Sequence, residues 1–204
     1  MTIDQEDNRR EKKVLFMAAI SVGALMNLSI GTLMVYLKLP IYINALGTLL
    51  IAILLGIRSS ICVGVLSTLL TALLVYPLEP YYVGTQITLS IVTGLMARNG
   101  FFRSISRTIL TGILLGIIAA IASAPVTVYL FGGVPDFCCV SAITLFLLSK
   151  GYSLFLSVLG SYIVVETADK VLLCLFVLWL IRGFPQALRH QFVERGYLLR
   201  NLHN

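Results

Sequence analysis

The chain has 204 residues, of which 58% are apolar and only 12% charged, with 15 Lys and Arg against 9 Asp and Glu. A mean hydropathy of +0.96 excludes a soluble globular protein and leaves no room for a separate catalytic or nucleotide-binding domain. At about 20 residues per spanning helix, an integral membrane chain of this length accommodates roughly five to seven crossings.

Residues 1–13 are polar and charged rather than an apolar leader, so they read as a cytoplasmic tail with no cleaved signal. Six apolar runs follow, at about 14–37, 41–56, 61–77, 83–97, 108–131 and 156–181. The predicted fold is therefore all-α, an integral membrane bundle of six transmembrane helices over residues 14–183. The second run is short for a full crossing and is expected to be thin or tilted. Residues 132–151 are apolar but contain Asp136 and Lys150, which suits a partly inserted helix or a long loop packed on the bundle. Residues 184–204 form a basic cytoplasmic tail.

Arg and Lys placement tests the count, because cytoplasmic loops carry the excess. With the N-terminus inside, Arg9, Arg10, Lys12, Lys13, Arg58, Arg98, Arg103, Arg107, Arg182, Arg189, Arg195 and Arg200 all fall in the cytoplasm. The outer loops hold only Lys38, beside the acids Glu79 and Asp136, and both termini are expected inside. This topology explains the net charge of +6 without a nucleic-acid partner.

The chemistry-bearing motifs are sparse. Cys62, Cys138, Cys139 and Cys174 lack C-x-x-C spacing, and His190 and His203 both lie in the tail, so neither a metal nor another cofactor is expected. There is no G-x-x-x-x-G-K-[ST] loop, so the chain is not expected to hydrolyse ATP. No nucleophile, base or metal set stands at one depth, and the chain reads as a non-enzyme.

Small residues recur at helical spacing. Gly112, Gly116, Ala120 and Ala124 make a stripe on the fifth run that favours packing within the bundle, because small residues let backbones approach closely in lipid. Ala19 and Gly23 do the same on the first run, where internal packing and docking of another membrane subunit are equally open.

Polar and aromatic groups gather at the outer ends. Asn44, Glu79, Tyr82, Gln86, Tyr129 and Asp136 stand there, and amides and acids are not needed as interfacial anchors. The sixth run, LFLSVLGSYIVVETADKVLLCLFVLWLI over 154–181, is broken by Glu166, Asp169 and Lys170. Charges at such depth cost several kcal/mol unless paired or turned toward a polar cavity. Glu166 and Lys170 lie at i, i+4 and Asp169 at i+3, so the three share one side of a helix. Glu166, nearest the outer end, is the expected ligand contact, with Asp169 and Lys170 as a structural ion pair. These groups converge on a pocket open to the outside, with no polar path continuing inward.

Three segments carry a family resemblance: residues 39–56 (LPIYINALGTLLIAILLG) with 62–67 (CVGVLS), residues 126–136 with Gly132-Gly133, and Glu166-Thr-Ala-Asp169-Lys170 running to Arg182-Gly-Phe-Pro185. Over most of residues 14–186 the chain resembles the substrate-binding S components of energy-coupling factor (ECF) transporters. The resemblance implies a multi-pass subunit of a prokaryotic plasma membrane that captures a vitamin-like nutrient from outside. It also implies partners: a membrane scaffold (T) subunit and two cytoplasmic ATPase (A) subunits. Family members commonly dock through Ala-x-x-x-Ala on the first helix, for which this chain has Ala19-x-x-x-Gly23. The competing readings are a stand-alone ion-coupled carrier using Glu166 or Asp169 as a proton site, and a membrane sensor or structural module.

Overall fold

A computed structural model describes residues 3–37, 43–133 and 138–183. The described residues form seven α-helices and no strand: α1 Ile3–Tyr36, α2 Leu46–Leu54, α3 Ile57–Leu74, α4 Val83–Arg98, α5 Ile105–Phe131, α6 Cys138–Ser149 and α7 Leu154–Gly183. Short 3-10 turns, Glu79–Tyr82 and Phe101–Arg103, lead into α4 and toward α5.

Three segments are long and apolar enough to cross a membrane: Phe16–Tyr36 within α1, all of α3 and all of α5. The second run departs most from the sequence expectation. It folds as a helix of only 9 residues, about 13.5 Å long at 1.5 Å per residue, less than half of a hydrocarbon core about 30 Å thick. Every residue of α2 is buried. It is a half-length helix at the centre of the bundle, with α1, α3, α4 and α7 packed around it. An apolar run does not tell a helix sheathed by protein from one sheathed by lipid, because both surroundings select the same side chains. Residues 132–151, left between loop and helix by the sequence, contain α6, a 12-residue helix packed on α7.

Local chemistry sets the joints. Leu55 and Gly56 link α2 to α3, with Gly56 at φ 89°, a conformation that residues with a Cβ rarely adopt. Ser104 caps α5, its hydroxyl accepting from the Arg107 amide at 3.4 Å.

The main core is built on α2. Leu46, Leu49, Leu50, Ile53 and Leu54 pack with Leu89 of α4, Leu115 and Ala119 of α5, and Leu173, Cys174 and Val177 of α7. Outward faces are also apolar: Val22, Leu25, Leu69, Leu73, Ile113, Ile121, Leu172, Phe176 and Trp179 are all exposed. An outward surface this apolar, with three helices long enough to cross, is compatible with a multi-pass membrane protein.

Helix contacts run through the small residues. A methyl group built on Gly116 would lie 2.3 Å from Thr167 Cα, and one on Gly112 2.5 Å from Val171 Cα, so the α5 stripe brings α5 and α7 backbones together. On α1 the small face also turns inward. A methyl on Gly47 would meet the Gly23 carbonyl oxygen at 1.9 Å, and one on Gly23 would meet Ile51 Cγ1 at 2.9 Å. Ala19 packs beside Ala24, Ile51 and Val63. Of the two roles left open for Ala19 and Gly23, internal packing is the one seen within the chain: Gly23 is buried where α1 closes onto α2 and α3, and Ala19 beside it is half-buried.

Candidate functional site

The segment from Glu79 to Gln86 is the spine of the site. It begins in the turn before α4 and continues into its first helical turn, so side chains three and four apart point to different neighbours. Glu79 Oε1 accepts from Asn44 Nδ2 at 3.4 Å. The Tyr82 hydroxyl meets Thr127 Oγ1 at 2.9 Å, and Thr127 Oγ1 meets the Tyr162 hydroxyl at 2.9 Å, a hydroxyl chain from the turn before α4 across α5 to α7. Thr85 bonds Ser123 at 3.1 Å. Gln86 Oε1 accepts from Thr48 Oγ1 at 3.3 Å. Eight residues therefore contact the α2 N-terminal region, α5 and, through Thr127, α7.

Behind Gln86 lies Asn27, 2% exposed in the middle of α1. Its Oδ1 accepts from the amides of Gly47 (2.6 Å) and Thr48 (3.4 Å), and its Nδ2 donates to Thr48 Oγ1 (2.7 Å) and Ser67 Oγ (3.1 Å). The first amides of α2 have no partner within their own helix, and Ala45 at its N-cap provides no side-chain cap. Asn27 supplies that cap from a different helix. It also fixes the Thr48 hydroxyl that donates to Gln86.

On α7 the three charged residues meet as their spacing requires. Lys170 Nζ lies 2.9 Å from Glu166 Oε2 and 2.5 Å from Asp169 Oδ2, so it is shared between both acids. The Lys170 and Asp169 side chains are 3% exposed and that of Glu166 is 19% exposed, making Glu166 the accessible member. Tyr162 stands one turn before Glu166 on the same helix, so the hydroxyl chain ends one turn from the charged cluster.

Of the site residues expected from sequence, the hydrogen bonds engage Asn44, Glu79, Tyr82 and Gln86 in one connected region, and Glu166 follows from Tyr162. Tyr129, expected in the same pocket, is 78% exposed near the end of α5. Asp136 lies outside the described residues. Asn27, Thr48, Thr127 and Tyr162 were not foreseen, although an isolated Asn inside the apolar run 14–37 is itself a signal, since an unsatisfied amide in that setting costs several kcal/mol. Chemically the region offers amides, hydroxyls, aromatic rings and carboxylates, a set suited to recognising a small polar molecule. No known protein family, characterised protein or solved structure compared with the chain matches it.

Proposed function

We propose that this chain is the substrate-binding S component of an ECF-type importer. It captures a vitamin-like nutrient from outside the cell and delivers it by ATP-driven uptake through a scaffold subunit and two ATPases. The observation that carries this reading is the buried polar network: Asn44–Glu79, Asn27–Thr48–Gln86 and Tyr82–Thr127–Tyr162 are held within a bundle whose outward surface is apolar. Recognition groups assembled inside a lipid-solvated bundle suit a binding subunit. The family resemblance of residues 39–67 and 166–185 supports the same reading.

In this proposal the bundle is multi-pass in a prokaryotic plasma membrane with both termini cytoplasmic. The segment that holds half-length α2 returns the chain as the second crossing, and α4 and α7 complete six crossings beside α1, α3 and α5. Arg58, Arg98, Arg103, Arg107 and Arg182 are all exposed and gather at the end where α3 and α5 begin and α4 and α7 finish, which accords with a cytoplasmic face. The network lies toward the opposite end.

Reconstitution of the chain alone in liposomes tests the reading. It should bind its nutrient without concentrating it. Uphill accumulation driven by a proton or sodium gradient, with no ATPase present, would replace it with a secondary carrier.

A further inference from the structure

The charge balance on α7 does not close. Lys170 carries one positive charge, and Glu166 and Asp169 carry two negative ones within ion-pair distance of it. The elements packed on α7 offer no further compensation: α2 and α6 contain no Asp, Glu, Lys or Arg, and the only one on α5 is exposed Arg107. Arg107 lies at the start of α5, before Gly112, which faces Val171, so it belongs near the far end of α7 rather than beside the cluster. Among the described residues the cluster thus keeps one excess negative charge.

A second observation marks the same place. Asp169 is 2% exposed, and while its Oδ2 holds Lys170, its Oδ1 has no hydrogen-bond partner among the described residues. A buried carboxylate oxygen without a donor is costly and calls for a water, an ion, a proton or another bound group to satisfy it. Earlier on the same helix stand a part-exposed carboxylate, Glu166 at 19% exposure, and, one turn before it, the ring of Tyr162. Carboxylate and aromatic face together are the chemistry that receives an organic cation.

We infer that the ligand of this site is positively charged, an ammonium or a cationic nitrogen heterocycle, and that Glu166 receives that charge while Lys170 is held by Asp169. The inference rests on the binding-subunit reading for its biological meaning and on the charge count for its chemistry. When Glu166 turns to the ligand, Lys170 keeps one counter-ion and the cluster becomes neutral. A neutral or anionic ligand would leave the excess charge in place.

The full chain in lipid nanodiscs tests this with three probes of similar size: N-methylpyridinium, toluene and benzoate, each read by the shift in unfolding temperature. N-methylpyridinium should stabilise the protein in a saturable manner, and toluene and benzoate should not. Glu166→Gln should weaken the response about tenfold or more, the scale of a lost charge-assisted contact. Asp169→Asn should weaken it comparably, because Glu166 is then consumed by Lys170. Retention of binding in Asp169→Asn would show that Lys170 does not need Asp169 as counter-ion while Glu166 holds the ligand, and overturns the inference. Three further results overturn it: no response to N-methylpyridinium, equal stabilisation by benzoate, or an infrared carbonyl band of a protonated acid that disappears in Glu166→Gln, which would show a proton neutralising the cluster. Failure to find partner ATPases would remove the importer reading while leaving the cation selectivity standing, so the two are separable.

Discussion

Replacing Asn27 with Leu removes four hydrogen bonds while keeping the heavy-atom count and branched shape of the side chain. The amide of Gly47, at 2.6 Å from Asn27 Oδ1, loses its acceptor within a crossing too close to admit a Cβ. Leaving a buried donor unsatisfied costs about 1–3 kcal/mol. The Thr48 amide at 3.4 Å is a weaker contact, and the Thr48 and Ser67 hydroxyls each retain another bond, to Gln86 Oε1 and to the Gly64 carbonyl. The summed loss is therefore about 2–4 kcal/mol rather than four full bonds. Reversible unfolding in mixed micelles measures it, with Ser29→Leu, exposed on the same helix, as the control expected to change stability by less than about 0.5 kcal/mol. Hydrogen exchange at the α2 amides should accelerate in Asn27→Leu before exchange on α5 does. An Asn27→Leu variant as stable as the control, with unchanged exchange in α2, would refute the view that α1 caps α2.

Gly116→Ala should destabilise the bundle by roughly 1–3 kcal/mol, the usual range for overpacking, because its methyl meets Thr167 backbone that no rotamer change can move; the same unfolding assay reads it, and a neutral result would show α5 and α7 free to separate. Gly23→Leu should impair folding of the isolated chain, since α1 presses on Ile51 and Val63 there; normal thermal stability with loss only of partner binding would favour the docking role. Lys170→Ala should lower expression and stability by leaving Asp169 as a buried unpaired charge, whereas Glu166→Gln should fold normally and lose ligand affinity, as read by size-exclusion profile and binding isotherm. The reverse pattern would exchange the two roles.

The helical class, the charged face of the last helix and the α5 stripe were legible because each rests on periodicity: i, i+4 spacing places Glu166 beside Lys170 wherever the helix sits. The length of α2 was not, since a helix sheathed by other helices and one sheathed by lipid are written in the same apolar residues. Tyr82 and Gln86 were recognised as polar groups where anchoring does not explain an amide, but their partners Thr127 and Thr48 were not. A Thr on an apolar helix ordinarily bonds its own backbone, and Thr127 does so as well, to the Ser123 carbonyl. Asn27 escaped because it is alone in its run, with nothing periodic to join. Gly23 was placed on the correct helix, and only the packed structure shows which neighbour it faces.

The central claim is that this chain binds a nutrient and relies on other subunits for energy. Native mass spectrometry of the protein purified from its own membranes under gentle conditions tests it most directly. The account predicts an assembly of this chain with a second membrane subunit and a pair of ATPases, which releases the chain with a small cationic molecule still bound. A chain that emerges alone from every preparation, yet carries out gradient-driven uptake in liposomes, would contradict it.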